Sequence, residues 1–320
     1  ISPAPFLSRR FNNQILIKRE DLQPVFSFKI RGAYNKMAQL TDEQKAKGVI
    51  AASAGNHAQG LAMAAKLMGV KAVIVMPRIT PDIKVQAVRA RGAKVVLKGD
   101  AFAAAAEHAQ ELIKEHGYTY IPPFDDIDVV AGQGTIGVEI LRQHSGRLDA
   151  IFIPVGGGGL IAGVAAYVKY LRPDIKIIGV EAEDSACLKA ALDAGERVVL
   201  DQVGVFAEGV AVAQIGEVPF SLVRDLIDDV ITVNTDEMCA AVKDIFEDTR
   251  AVAETSGALS LAGLKKYVQQ TGAEGETLLC INSGANTNFD RLQHIAERTE
   301  LGEQREAILA VTIAEKPGSF

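Results

Sequence analysis

The residues that could do chemistry in this chain sit in short, widely separated runs. The first is VFSFKIRGAY, residues 25–34, where Lys29 lies between Phe28 and Ile30 in a stretch that otherwise reads as half-buried. Lysine is almost never fully buried without a partner, so this position asks for a stem that snorkels its ammonium to water or for a reactive amine. The second is VGGGGLIAG, residues 155–163, in which an apolar run leads into Gly156, Gly157, Gly158 and Gly159 and then into a helical pattern. A strand, a glycine turn and a helix N-terminus bring free backbone N–H groups and the positive end of a helix dipole to one spot, which suits a phosphate. One or two glycines would serve a plain tight turn, so four favour an anion site, with any Cβ expected to hold the phosphate off. Gly157, Gly159 and Ala162 also satisfy G-x-G-x-x-[GA], and Glu181 follows about 20 residues later, where a ribose-binding acid would lie. A nicotinamide-dependent dehydrogenase is therefore a rival reading, and it leaves Lys29 unexplained.

Two further runs carry small polar residues at the ends of strand patterns. In SAGNHAQG, residues 53–60, Ser53 suits a helix cap, Gly55 permits close backbone approach to a carboxylate, and Asn56 offers both donor and acceptor. Capping alone and ligand binding weigh equally here. In SGAN, residues 283–286, the Ser283 hydroxyl suits a cap or a hydrogen bond to a ligand nitrogen, and the cap is favoured when the run is read singly.

The elements that must position these runs alternate. From about residue 48, short β-branched segments (GVIAAS, KAVIVMP, AKVVLKG, YTYIP) take turns with helical patterns such as NHAQGLAMAAKLMG and AFAAAAEHAQELIKEHG. Such alternation marks βαβ units and a parallel sheet. A second series follows: VVAGQGTIGVEILRQ as helix, DAIFIPV as a strand buried on both faces, GLIAGVAAYVKYL as helix, DIKIIGVE as strand. ERVVL and VITV read as strands, TDEMCAAVKDIFEDTR and SGALSLAGLKKYVQQTG as helices, and ETLLCINSG as the last strand of the series. Two open sheets, one inserted in the other, fit better than a barrel. Residues 294–320 are charged and then apolar, and read as the neck of a further domain.

Composition closes off several classes. With 320 residues, 48% hydrophobic and 23% charged, the chain reads as an ordinary globular α/β protein, and its net charge of -6 argues against a nucleic-acid footprint. No apolar run approaches a membrane span, which makes the cytoplasm the default address. The three cysteines form no Cys-x-x-Cys pair, and the five histidines make no zinc-ligand spacing.

Taken together, SFKIRGAY, SAGNHAQG, AGQGT (131–135), PVGGGGL (154–160) and SGANTNF (283–289) resemble the fold-type II pyridoxal-phosphate enzymes, and within them the biosynthetic threonine dehydratases. The resemblance runs through essentially the whole chain, and five motifs in order are far more specific than any one. It implies a tryptophan synthase β-like α/β fold of two open, mostly parallel twisted sheets flanked by helices. A large domain of residues 1–38 and 135–293 would hold the cofactor, and a small domain of residues 39–134 would be inserted in it. Lys29 would carry the pyridoxal 5'-phosphate covalently and act as base, with Phe28 packed on the pyridine ring. Gly156, Gly157, Gly158 and Gly159 would hold the 5'-phosphate, Asn56 the 3'-oxygen, and Ser283 would face the pyridine nitrogen. The loop Ser53, Ala54, Gly55, Asn56 and His57 would grip the substrate carboxylate.

The implied reaction is elimination of water from L-threonine to give 2-oxobutanoate and ammonia, the entry to isoleucine synthesis, with L-serine going to pyruvate; another β-eliminating lyase, such as a serine dehydratase, is the alternative. Ala54 stands where racemases of the superfamily carry a second serine, and Cys187 where they carry a cation-ligating acid, so neither racemisation nor a magnesium requirement is expected. Glu181 is expected to be structural. Family members are commonly tetramers, and a dimer or tetramer is expected here. AILAVTIAEKPGSF resembles the first strand and turn of a regulatory domain, with isoleucine-insensitive catalysis as the expectation for this chain.

Overall fold

Runs that are apolar without alternation build the centre of each sheet. AIFIP, AVIVM, VIAA and TLLCIN are buried at every residue, as strands covered by helices on both faces must be. The structure is a computed structural model and describes residues 1–303; the strand and turn expected in AILAVTIAEKPGSF lie outside the described residues. In chain order the strands are β1 (Ser2–Pro3), β2 (Gln14–Arg19), β3 (Val49–Ala52), β4 (Ala72–Met76), β5 (Lys94–Leu97), β6 (Thr119–Tyr120), β7 (Ala150–Pro154), β8 (Lys176–Ala182), β9 (Asp229–Val233) and β10 (Thr277–Asn282).

They form a six-stranded sheet in the order β1-β2-β10-β7-β8-β9 and a four-stranded sheet in the order β5-β4-β3-β6. Every pairing is parallel except that of β1 with β2 at one edge. In the larger sheet β10 lies between β2 and β7, with Cys280 opposite both Ile17 and Phe152. The C-terminal ends of β3, β7 and β10 carry the Ser53, Gly156 and Ser283 runs respectively, the side of an open sheet where ligands bind. The two open, mostly parallel sheets agree with the expected architecture.

Two close approaches set the site's geometry. A Cβ on Gly60 would lie 2.9 Å from the carbonyl carbon of Lys29, so glycine lets helix Asn56–Met68 press against the start of helix Lys29–Ala38. A Cβ on Gly163 would lie 2.3 Å from the carbonyl oxygen of Val130, which locks helix Gly159–Leu171 onto helix Ile127–Gln143. Between β2 and the helix that Lys29 opens, buried Lys18 and Glu20 pair at 3.2 Å, and Arg31 reaches Glu20 and Glu139, each at 2.7 Å.

The structure departs from the sequence reading in places. ERVVL is no strand: Leu200 N–H bonds the carbonyl of Ala213, Val199 is 62% exposed, and the segment joins neither sheet. Its β-branched residues have the composition of a strand but no ladder partner, because the edge beyond β8 is already taken by β9. β2, absent from the sequence reading, is central to the site, since it pairs with β10 and leads into the Lys29 loop.

Candidate active site

Lys29 opens its helix, with Phe28 as the N-cap residue, and the loop before it is stitched to the run after β10. Phe28 N–H donates to the Ser283 carbonyl at 3.1 Å, Ala285 N–H donates to the Phe26 carbonyl at 2.8 Å, and Ser27 bridges Gly284. These bonds hold Phe26 at φ 55°, a left-handed conformation costing an aromatic residue about 1–2 kcal/mol. From this frame Lys29 Nζ donates to the carbonyl of Pro123 at 3.0 Å and lies 5.1 Å from the centre of the Phe28 ring. Burial pushes its pKa down to about 8, opposed in part by the charge of Glu254.

Across the cleft, β7 ends and Gly158, at φ 86°, turns the chain into helix Gly159–Leu171. The glycines are required here by protein neighbours. A Cβ on Gly156 would lie 2.9 Å from Val210 Cα, and one on Gly157 would lie 2.2 Å from the Phe124 ring. The sequence reading assigned the exclusion of side chains to the ligand; the packing already demands it. The result is a cradle of backbone N–H groups at the start of a 13-residue helix. Cys187 Sγ supports it from below by donating to the Gly156 carbonyl at 3.4 Å.

Glu181 takes no part in the cradle. It is fully buried, its two oxygens accept the N–H groups of Leu188 and Lys189 at 2.8 Å each, and burial pushes its pKa up to about 7. The acid that the dehydrogenase reading needs for a ribose is thus committed to a helix start.

On the SAGN loop, Ser53 is not the cap. Gly55 occupies the N-cap position of helix Asn56–Met68, and Ser53 Oγ accepts the Gly55 N–H at 3.3 Å. His57 is buried with Nε2 2.8 Å from the carbonyl of Ile121; burial, and then the charge of Lys29, lower its pKa to about 4, so the ring is neutral and turned away from the cleft. Ala54 packs against the core of the small sheet, and the space beside Gly55 is open, with nothing within 4 Å of where a Cβ would be.

Asn56 faces inward: its Nδ2 donates to Glu254 Oε1 at 2.6 Å and its Oδ1 accepts from Asn286 Nδ2 at 2.7 Å. Ser283 is buried, with Oγ 3.4 Å from the Ser256 carbonyl. Phe28, Lys29, Asn56, the four glycines and Ser283 line one cleft, while Ser53, Ala54, Gly55 and His57 stand outside that lining. AGQGT contributes packing, with Gln133 Oε1 accepting the Gly32 N–H at 3.2 Å.

Glu254, Asn286, Phe124 and Pro123 were not found from the sequence. Glu254 precedes helix Thr255–Thr271 and reads as an ordinary helix-start acid, and Asn286 lies inside SGANTNF, so only their contacts single them out.

Residues 1–284 match the family described as pyridoxal-phosphate dependent enzyme. The chain belongs to that family. This pyridoxal-phosphate dependent enzyme is 57% identical to the biosynthetic L-threonine dehydratase of Burkholderia multivorans over all of its own length and 64% of that protein's. It is 61% identical to the Escherichia coli protein of the same description, over 98% of this chain and 61% of the relative. The chain thus spans less than two thirds of the curated relatives it matches. The processed form of threonine deaminase isoform 2 from Solanum lycopersicum superposes with a TM-score of 0.92 at 50% identity, covering 93% of this chain and 87% of that one.

The site fits the cofactor that defines the family. An amine with a lowered pKa and a backbone anion cradle whose glycines admit no Cβ line the same cleft. The family membership removes the dehydrogenase reading.

Proposed function

We propose that this enzyme eliminates water from L-threonine and that the resulting enamine takes up water to give 2-oxobutanoate and ammonia, the entry step of isoleucine synthesis, and that it converts L-serine to pyruvate and ammonia by the same β-elimination and hydrolysis. The observation that carries this reading is that Lys29, the glycine cradle and Ser283 line one cleft, so that the residue read as facing the pyridine nitrogen is a hydroxyl and not an acid. The names of the relatives supply the substrate.

In this reading Gly156, Gly157, Gly158 and Gly159 hold the cofactor's phosphate, Asn56 its 3'-oxygen, Phe28 packs on its ring, and Ser283 faces its pyridine nitrogen. When bound, pyridoxal phosphate supplies an electron sink for the bond electrons at the substrate Cα. A neutral hydroxyl at the nitrogen keeps that sink weak, which favours elimination over transamination. Lys29, neutral in substantial fraction near pH 8, removes the Cα proton, a contribution of roughly 10²–10⁴-fold. The loop Ser53, Ala54, Gly55, Asn56 and His57 holds the substrate carboxylate through the N–H groups of Ala54, Asn56 and His57, since the Ser53 N–H donates to the Val75 carbonyl, the Gly55 N–H to Ser53 Oγ, and the His57 ring is committed to Ile121.

The test is a deamination assay with threonine and with serine, run on the wild type and on Lys29→Ala with visible spectra. The wild type should release 2-oxobutanoate and absorb in the visible; Lys29→Ala should do neither. A wild type that binds the cofactor and releases no keto acid from either substrate would refute the activity. The same reading carries a large domain of residues 1–38 and 135–293 around a small domain of residues 39–134, assembly as a dimer or tetramer, and a cytoplasmic address. Light scattering reads the assembly.

A further inference from the structure

Asn56 follows β3 of the small sheet, whereas Glu254 precedes helix Thr255–Thr271, which leads into β10 of the large sheet, and Asn286 follows β10. An asparagine amide has an acceptor on one side and two donors on the other, and which way it faces follows from its partners. Here the partners leave no choice. Asn286 Nδ2 donates to the Val25 carbonyl at 2.8 Å, a group that can only accept, so the nitrogen of Asn286 faces Asn56 and the oxygen of Asn56 must receive it at 2.7 Å. The Asn56 nitrogen then faces Glu254 Oε1 at 2.6 Å. One N–H is committed to Glu254, and Asn56 lines the same cleft as Lys29.

We propose that Glu254 is a positioning residue for cofactor binding: by accepting one N–H of Asn56, it turns the amide so that the remaining N–H is presented to the cofactor's ring oxygen. The inference rests on the assignment of Asn56 made above. The backbone of Glu254 is itself held in place, since its N–H donates to the Gly284 carbonyl at 3.1 Å and its carbonyl accepts the Ala258 N–H at 3.0 Å in the first turn of helix Thr255–Thr271. Without its carboxylate only the Asn286 bond holds the amide, and the Asn56 N–H groups are less firmly aimed at the ligand. The same bonds tie the small sheet to the large one at the mouth of the site.

A double-mutant cycle on cofactor affinity tests this, with pyridoxal phosphate titrated into apo protein and followed by visible absorption. Glu254→Ala should raise Kd roughly tenfold or more, the loss of one charge-assisted hydrogen bond. Glu254→Gln keeps an oxygen acceptor and should recover most of that loss, which a purely electrostatic role would not allow. In an Asn56→Ala background, Glu254→Ala should add nothing. Equal losses in both backgrounds, or no recovery by Glu254→Gln, would overturn the proposal. Should Glu254→Ala not fold, Asn286→Ala runs the same cycle from the other end of the amide. A wild type that takes up no pyridoxal phosphate would overturn the reading of the site itself.

Discussion

Lys29 provides the most direct quantitative prediction. An ordinary lysine near pKa 10.5 holds about one part in a thousand as neutral amine at pH 7.5. With its pKa lowered to about 8, Lys29 holds about a quarter, a gain of roughly 200-fold in the form that attacks an aldehyde. The origin is burial beside Phe28 with a neutral carbonyl, that of Pro123, as hydrogen-bond partner. The assay mixes apo protein with pyridoxal phosphate across pH 6.5 to 10.5, traps the adduct with borohydride, and quantifies the peptide carrying position 29. A lysine model amide treated in parallel cancels the titration of the reagent. Capture at Lys29 should rise tenfold per unit below pH 8 and level off above it; relative to the amide it should be about two orders of magnitude faster and constant below pH 8, with the advantage shrinking above pH 8 as the amide goes on gaining neutral amine. A rise that continues to pH 10, or equal adduct in Lys29→Ala, would show that burial does not activate this amine.

Other substitutions test the frame. Gly157→Ala should weaken cofactor binding at least tenfold because its Cβ meets the Phe124 ring at 2.2 Å, and adding Phe124→Ala should regain part; no regain would mean that the methyl acts on the ligand directly. Glu139 is held down to about 2, chiefly by its hydrogen bonds with Arg31, so its contribution is present above its ordinary value of 4.5 and is lost as pH falls through about 2. Since its side chain is 37% exposed, Glu139→Gln should cost about 1–2 kcal/mol in urea melts at pH 7, with the difference closing between pH 4.5 and 2. Arg250 ends helix Thr235–Thr249 at φ 58°, so Arg250→Gly should leave stability unchanged or raise it by up to about 1 kcal/mol in the same melts.

Much of the fold was legible because its signals are local. Continuous apolar runs at β3, β4, β7 and β10 have one stable use, a strand covered on both faces, and the polar or glycine-rich residues that follow mark the strand ends where a ligand can sit. ERVVL shows the limit of such signals: its composition is that of a strand, yet a strand exists only where a neighbour offers a ladder, and here a single bond from Leu200 to the Ala213 carbonyl takes its place. Ser53 shows the same limit at a helix start, where Gly55 rather than the better capping side chain occupies the N-cap position.

The sequence by itself determined which backbone could be strand or glycine turn, and that one lysine stood among apolar neighbours, since these depend on each residue and the few beside it. Only the tertiary structure decided that Glu254 and Asn286 orient Asn56, that Glu181 and His57 are committed elsewhere, and that Phe124 and Val210 demand the glycines. Those contacts join residues as far as 230 positions apart, and the direction of a hydrogen bond or the room for a methyl group exists only once both partners are in place.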